Sequence, residues 1–105
     1  MLDPIAVPFV QTICIQLARG IERDPNKAAI NLRKHGVEFD EAVTCLLDAK
    51  ALVRDDPDAV VEVRHILIGM SKAGRMLTVV YTMRGEIPRI ISARKATRRE
   101  IANYA

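Results

Sequence analysis

The sequence predicts an α+β domain, in which helices pack on one face of a small antiparallel β-sheet. In the first half of the chain, apolar residues recur every three or four positions, as they do along one side of a helix. In the second half they alternate or form β-branched runs, and the segments between these runs are short enough for hairpins. Helices followed by hairpin-linked strands are typical of the α+β class, and 105 residues suffice for one such domain.

An uncharged segment at positions 4–18 predicts an additional N-terminal helix. Its apolar residues at helical spacing are Val10, Ile13, Cys14 and Leu17. The segment is shorter than the roughly 20 apolar residues that span a bilayer, and Asp3 precedes it where a signal peptide has basic residues. We therefore expect a cytoplasmic protein without membrane association. We also expect an apolar helical extension at residues 1–19, a domain at residues 20–105, and a short strand at residues 20–23.

Two helices are predicted ahead of the strands. Asp24 is a favourable N-cap, Pro25 suits the first turn, and Gly36 suits the left-handed residue after the last turn. The first helix is therefore expected to cover Pro25–His35. Asp40 is the expected cap of the second helix. The apolar stripe of that helix occupies positions i, i+3, i+4, i+7 and i+8: Phe39, Ala42, Val43, Leu46 and Leu47.

Four alternating or β-branched segments predict strands. They are Ala51–Asp55, Val63–Met70, Met76–Arg84 and Ile87–Ala93. Because only short turns separate the last three, we expect them to form an antiparallel meander. A terminal helix is then predicted by a capping box, with Thr97 as N-cap and Glu100 three residues later.

Positive charge is concentrated near the C-terminus. Residues 84–100 hold six of the 16 basic residues and two of the 13 acidic residues, so the rest of the chain is close to neutral. Such a segment indicates a polyanion as partner, the alternative being an ordinary solvated basic face. The chain has no Trp, two Tyr and two Phe, which excludes a broad aromatic platform for stacking bases.

Arginines near the predicted terminal helix are candidates for holding phosphate. Arg98 and Arg99 are expected in its first turn, where the helix dipole disfavours positive charge by about 0.3–1 kcal/mol each. This placement favours phosphate binding, the alternative being side chains that turn into water or pair with an acid. Arg94 and Lys95 lead into that helix. Strict alternation puts Arg89 on the opposite face from Arg94, unless the strand contains a bulge.

Further candidates lie on earlier elements. Arg64 shares a predicted strand face with Ile66, where either a role in the site or a strand-end salt bridge accounts for it. Lys34 and His35 lie in the last turn of the first helix, which favours cations in any protein, and His35 is also a candidate general base. The acidic residues around Pro57 show no recognisable metal-binding spacing, so we expect neither a metal nor another cofactor.

The chain resembles the BrnT toxin family from about residue 20 to residue 105. The first similar segments are Asp24-Pro25-Asn26-Lys27-Ala28 with Asn31, Lys34-His35-Gly36-Val37, and Phe39 with Glu41-Ala42. The middle segments are Arg64, Ile68-Gly69-x-Ser71 and Gly74-Arg75. The last are Val79-Val80-Tyr81-Thr82-x-Arg84-Gly85, Arg89-Ile90-Ile91-Ser92-Ala93-Arg94, Ala96-Thr97-Arg98-Arg99-Glu100 and Tyr104. Arg23, Glu38 and Val63 depart from the residues that are usual in the family.

The resemblance implies the toxin of a type II toxin–antitoxin system, with a fold like that of the RelE-type ribonucleases. It implies an RNA substrate and a BrnA-type antitoxin, a DNA-binding protein of the ribbon-helix-helix class that covers the toxin. A homodimer and a toxin–antitoxin hetero-oligomer are both expected possibilities.

We therefore hypothesise metal-independent RNA cleavage, in which the ribose 2′-hydroxyl attacks the adjacent phosphate. The candidates for stabilising the phosphorane are Arg64, Arg94 and Arg98. His35 is the candidate for proton transfer, with Lys34 as the alternative. The residues assigned to RNA binding are Lys34, Arg84, Arg89, Lys95 and Arg99. The alternative function is a non-catalytic module that binds nucleic acid or docks the antitoxin.

Overall fold

The computed structural model describes residues 23–60 and 62–104. The predicted N-terminal helix and most of the predicted strand at residues 20–23 lie outside these ranges. The elements in chain order are α1 (Pro25–His35), α2 (Phe39–Cys45), β1 (Leu52–Asp55), β2 (His65–Met70), β3 (Met76–Arg84), β4 (Ile87–Lys95) and α3 (Arg98–Tyr104). The strands form one antiparallel sheet in the order β1-β2-β3-β4, which confirms the predicted α+β class and the meander. No helix within the described residues is long and apolar enough to cross a membrane.

Helix α1 has the bounds that its capping residues predict. The Asp24 carboxylate accepts a hydrogen bond from the backbone N–H of Asn26 at 2.8 Å, which satisfies one of the free N–H groups of the first turn. Gly36 has a φ of 69°, and its N–H donates to the carbonyl of Leu32. A residue without a Cβ is favoured at that backbone angle, so Gly36 ends the helix.

The start of α2 differs from the prediction. Glu38, rather than Asp40, is the N-cap residue, and its side chain makes no capping hydrogen bond. Asp40 is instead inside the helix and forms an ion pair with Arg23. Burial agrees with this start, since a helix that begins at Phe39 brings Phe39, Ala42 and Cys45 together in the core.

The core lies between the two N-terminal helices and one face of the sheet. Its helical residues include Phe39, Ala42 and Cys45, and these pack against Leu67, Leu77, Val79, Tyr81, Ile90 and Ala93 from the sheet. Burial next to Glu41 and Asp48 raises the pKa of the Cys45 thiol to about 12, so this thiol is protonated at neutral pH. The core therefore fixes α1 and α2 on a single face of the sheet.

A carboxylate network joins α2 to the hairpin between β2 and β3. Glu41 accepts hydrogen bonds from the hydroxyl of Ser71 at 2.7 Å and from Nε of Arg75 at 2.9 Å. A second guanidinium nitrogen of Arg75 pairs with the other Glu41 oxygen and also donates to the carbonyl of Gly36. The arginine lowers the pKa of the Glu41 carboxyl. These contacts fix the end of α1, the start of α2 and the hairpin in one arrangement.

Strand β2 begins at His65, two residues later than predicted, and β4 continues to Lys95, two residues further than predicted. The short strand β1 explains the first difference, because its last pair joins Asp55 to His65. Pairing with β3 explains the second, because Leu77 lies opposite Lys95.

Helix α3 begins with the predicted capping box. The Thr97 N–H donates to a Glu100 carboxylate oxygen at 2.8 Å, and the Thr97 hydroxyl accepts from the Glu100 N–H at 3.2 Å. At the other end of α3, the Tyr104 hydroxyl donates to the Asp48 carboxylate at 2.6 Å. The helix is therefore attached at both ends, close to strand β2.

Candidate functional site

A β-bulge in β4 brings the candidate arginines of that strand onto one face of the sheet. Tyr81 of β3 lies opposite Ile90, whereas the preceding Val80 lies opposite Ser92, so Ile91 has no partner. Arg89 therefore faces Thr82, and Arg94 faces Thr78. Since Thr78 and Thr82 are four positions apart and side chains alternate, both arginines lie on the same face. The expectation that Arg89 and Arg94 lie on opposite faces is wrong, because the bulge between them shifts the alternation by one residue.

This face is the one opposite to the core. Residues directly opposite each other in a sheet share a face, so the pairing can be followed across all four strands. We call it the arginine face, and its charged members are Arg54, Arg84, Arg89 and Arg94. Arg64 directly precedes β2, and its carbonyl accepts from the Asp56 N–H at 2.7 Å, which extends the pairing by one step. Since His65 lies opposite Tyr81 and side chains alternate, Arg64 lies on the arginine face, level with Thr82.

Arg54 lies level with Val80 on the opposite edge strand, and the other arginines form two groups at opposite ends of the face. Arg64, Arg84 and Arg89 lie near the level of Thr82, whereas Arg94 lies at the level of Thr78. The two levels are four residue steps apart along β3, which corresponds to roughly 14 Å. The predicted trio of Arg64, Arg94 and Arg98 is thus divided between the two ends.

Arg94 is held by a carboxylate. Its two terminal nitrogens donate to the two oxygens of Glu100 at 2.8 and 3.0 Å, and one of them also donates to the carbonyl of Lys95 at 3.2 Å. The guanidinium lowers the pKa of the Glu100 carboxyl to about 2, against an ordinary 4.5. This two-pronged contact fixes the orientation of the guanidinium, while its Nε–H makes no hydrogen bond within the described residues.

The other basic residues near Arg94 are exposed. Arg98 and Arg99 occupy the first turn of α3, as predicted, and neither side chain makes a hydrogen bond or ion pair within residues 23–60 and 62–104. Lys95 ends β4 and is also exposed, but it alternates onto the core side of the strand. Arg98 and Arg99 therefore extend the positive charge from Arg94 towards solvent.

His35 lies beside the edge strand β4, on a helix that packs on the core side of the sheet and not on the arginine face. Together with Lys34 it lines an open cleft of about 180 Å³ between α1 and β4, in which the strand contributes Ile91 and Ser92. Ser92 faces Val80, which lies midway between Thr78 and Thr82. The cleft is therefore level with the middle of the arginine face.

Sequence reasoning missed several neighbours of these candidates. Lys27 lines the same cleft as His35. The sequence contained one indication of this, since Lys27 precedes Lys34 by seven residues and both therefore lie on the same side of α1. Arg54 on β1 belongs to the arginine face but stands on the opposite edge strand. Glu100 was identified only as a capping residue, because nothing in the sequence indicates that it also binds Arg94.

The described residues contain no group of three or more His, Cys, Asp or Glu side chains arranged to hold a metal ion. In the acidic loop, the Asp56 carboxylate instead accepts from the backbone N–H of Asp58 at 2.9 Å. Asp55 lies 3.1 Å from a ring nitrogen of His65, whose ring also lies against Tyr81. These acidic side chains therefore have local structural roles.

Comparison with known proteins agrees with this fold. The family described as ribonuclease toxin, BrnT, of type II toxin–antitoxin systems matches residues 24–100. The 1.1 Å crystal structure of the ribonuclease toxin BrnT of Brucella abortus is similar, with a TM-score of 0.51 and 21% sequence identity. That similarity covers 74% of this chain and 96% of the Brucella chain, and it shows a shared fold. No curated protein sequence matches the chain. Because the family match extends over most of the chain, from the cap of α1 to the first turn of α3, the protein belongs to the BrnT family of type II toxin–antitoxin ribonuclease toxins.

Proposed function

We propose that this protein is a metal-independent endoribonuclease that cleaves RNA through attack of a ribose 2′-hydroxyl on the adjacent phosphate. The 2′-oxygen forms a bond to phosphorus, the bond from phosphorus to the 5′-oxygen breaks, and a 2′,3′-cyclic phosphate and a 5′-hydroxyl result. The observation that carries the proposal is the position of the His35 cleft at the edge of β4, where its level along the strand falls between the two groups of arginines on the arginine face. The proposal places the action in the cytoplasm, where RNA is accessible.

The arginines supply the charge that the reaction requires. An arginine fork matches two phosphate oxygens, and positive groups fixed in advance stabilise the extra negative charge of the phosphorane. We assign Arg94 to the reacting phosphate. Glu100 binds its two terminal nitrogens and so fixes its orientation, while its Nε–H makes no hydrogen bond within the described residues and can donate to a phosphate oxygen. Arg98 and Arg99 extend this contact. Because the two groups are roughly 14 Å apart, Arg64, Arg84 and Arg89 are assigned to a phosphate further along the same RNA strand.

His35 is the proposed general base. Its neutral imidazole accepts the proton of the 2′-hydroxyl, and the resulting cation donates a proton to the departing 5′-oxygen. Lys34 borders the same cleft and is assigned to binding the substrate backbone. Glu100 is unsuitable as a base, because a carboxyl whose pKa is about 2 has little affinity for a proton at neutral pH.

Family membership supports the proposed partner. A type II toxin is neutralised by a protein antitoxin, and the partner proposed here is of the BrnA type, with a ribbon-helix-helix DNA-binding part. A toxin–antitoxin hetero-oligomer is the proposed assembly, with the homodimer as its alternative.

A non-catalytic binding module is the second candidate function, favoured by the Arg94–Glu100 contact. A guanidinium already paired with a carboxylate has to share its charge with any phosphate that approaches. In this alternative the arginine face binds nucleic acid, and the scissile bond is not broken.

The two functions are distinguished by incubating the purified protein with RNA in EDTA and analysing the product ends. Cleavage with 2′,3′-cyclic phosphate ends is expected, with a loss of roughly 100-fold in rate for Arg94→Ala and for His35→Asn. Arg54→Ala is the matched control, because it removes an arginine from the same face on the opposite edge strand. Intact RNA that is retarded in a gel supports the binding module. Equal cleavage by wild type and His35→Asn contradicts the assignment of the base.

A further inference from the structure

Helix α1 has a basic and apolar side that remains exposed beside β4. Lys27, Ile30 and Lys34 are spaced at i, i+3 and i+7 and line the cleft with Ile91, the unpaired residue of the bulge. Ile30 is 56% exposed, which is a large fraction for an isoleucine next to a second isoleucine. Arg33 continues this side, since it lines a second cleft of about 290 Å³ with Ile30 and Lys34. We call the surface formed by Lys27, Ile30, Arg33, Lys34 and Ile91 the α1 surface.

The charge of the α1 surface has one sign. Helix α1 contains Lys27, Arg33 and Lys34, and no acidic residue occurs between Pro25 and His35. The strand contributes the neutral residues Ile91 and Ser92 to the cleft. A surface with apolar side chains at its centre and cations around them has the composition of a protein-binding groove for an acidic ligand.

Beyond the single backbone contact assigned to Lys34, RNA fits the α1 surface less well than a peptide does. Sequence-independent binding of single-stranded RNA uses aromatic side chains on which bases stack, and no Phe, Tyr or Trp lines either cleft. RNA would neutralise the lysines but would leave the two isoleucines without an apolar partner. An amphipathic helix would cover the isoleucines with its apolar side and place carboxylates next to the lysines.

We propose that the α1 surface binds an acidic amphipathic segment of a partner protein. Ile30 and Ile91 provide the apolar contacts, whereas Lys27, Arg33 and Lys34 select for acidic residues in the bound segment. Because Lys34 and His35 border the same cleft, a bound segment also covers the proposed base. This consequence for cleavage rests on the proposed function, but binding itself does not.

The test uses a fluorescently labelled synthetic peptide of about four helical turns, with leucines on one side and glutamates beside them. Fluorescence anisotropy with the full-length protein is expected to show saturable binding that weakens as salt is added. Two further peptides serve as controls: one with lysine in place of glutamate and one with serine in place of leucine. Both are expected to bind much more weakly.

Matched variants locate the peptide on the α1 surface. Ile30→Asp is expected to weaken binding about tenfold or more, because it removes an apolar anchor and adds a repelling charge. Leu32→Asp is its control, since Leu32 is 44% exposed on the same helix but lines a separate groove next to α2. Lys27→Glu is expected to weaken binding, whereas Lys72→Glu on the hairpin between β2 and β3 is expected to leave it unchanged.

Three outcomes overturn the inference: absence of binding, equal binding of the lysine peptide, and equal effects of Ile30→Asp and Leu32→Asp. A fourth is self-association that Ile30→Asp abolishes, which would assign the surface to a second copy of the chain. Arg33 lines only the second cleft, away from His35, so RNA cleavage by Arg33→Glu is expected to equal that of wild type, and a parallel loss of cleavage assigns the surface to RNA. A protein that binds the peptide but never cleaves RNA contradicts the proposed function alone.

Discussion

The side-chain amide of Asn31 hydrogen-bonds to the backbone of Ala93 as a neighbouring strand would. Its Nδ2 donates to the Ala93 carbonyl at 2.8 Å, and its Oδ1 accepts from the Ala93 N–H at 3.0 Å. Nδ2 also donates to the carbonyl of Val37 at 2.9 Å. One buried amide therefore joins α1, the turn after it and the edge strand β4. This contact sets the spacing between His35 on the helix and Ser92 on the strand.

Asn31→Ala is expected to destabilise the protein by about 2–4 kcal/mol, because it leaves three backbone groups in the interior without partners. Urea unfolding followed by circular dichroism measures this free energy. Asn26→Ala is the control, since Asn26 is exposed in the first turn of the same helix. A change below about 0.5 kcal/mol for Asn31→Ala would contradict the role of this amide.

The Arg94–Glu100 pair predicts a specific loss of stability in acid. The folded-state pKa of Glu100 is about 2 and its ordinary value is 4.5, so folding favours the charged carboxylate. The contribution is complete above pH 4.5 and is lost as the pH falls towards 2. Because the Arg94 side chain is 42% exposed, solvent screening limits the contribution to about 1 kcal/mol.

Glu100→Gln tests this expectation through the free energy of unfolding measured from pH 6 to pH 2. The variant is expected to be less stable than wild type at pH 6 and to lose less stability in acid. A residual slope is expected, because the folded state also lowers the pKa of Glu41 and of Asp48. Glu38→Gln, whose carboxylate makes no capping hydrogen bond, is expected to follow wild type. Parallel curves for wild type and Glu100→Gln would exclude the pair as a source of acid sensitivity.

Tyr104 is expected to control the local opening of α3. Its hydroxyl donates to Asp48, whose carboxylate also accepts from the Met70 N–H at 2.8 Å, so the contact attaches the end of the helix to β2. Tyr104→Phe removes only the hydroxyl and is expected to cost about 1 kcal/mol, mainly as easier opening of α3. Hydrogen exchange should accelerate at residues 101–104 and remain unchanged in α1. Uniform acceleration in both helices would show global destabilisation instead.

The sequence indicated the elements whose signals are local. Asp24, Gly36 and Thr97 act within a few residues of themselves, and each occupies the capping position that it predicts. The start of α2 was missed because burial of Phe39 outweighs the capping preference of Asp40.

The arrangement of the candidate site depends on pairing between strands, which the sequence does not express. Nothing in the run Arg89-Ile90-Ile91-Ser92 shows that Ile91 lacks a partner, because the bulge is defined by its register with β3. Charge concentration drew attention to residues 84–100, and the functional role of these residues stays a prediction. Only the fold shows which arginines share a face and which carboxylate binds Arg94.

Arg89→Ala tests the consequence of the bulge for cleavage. Strict alternation would exclude Arg89 from the side of the sheet that carries Arg94, whereas the observed register puts both on the arginine face. If the proposed function is correct, the variant is expected to lower the cleavage rate about tenfold to 100-fold, with Arg89→Lys intermediate because lysine keeps the charge without the fork. Arg54→Ala is the matched control, and urea unfolding of each variant separates lost contacts with RNA from lost stability. Wild-type cleavage by a stably folded Arg89→Ala would show that the shared face does not create a shared function.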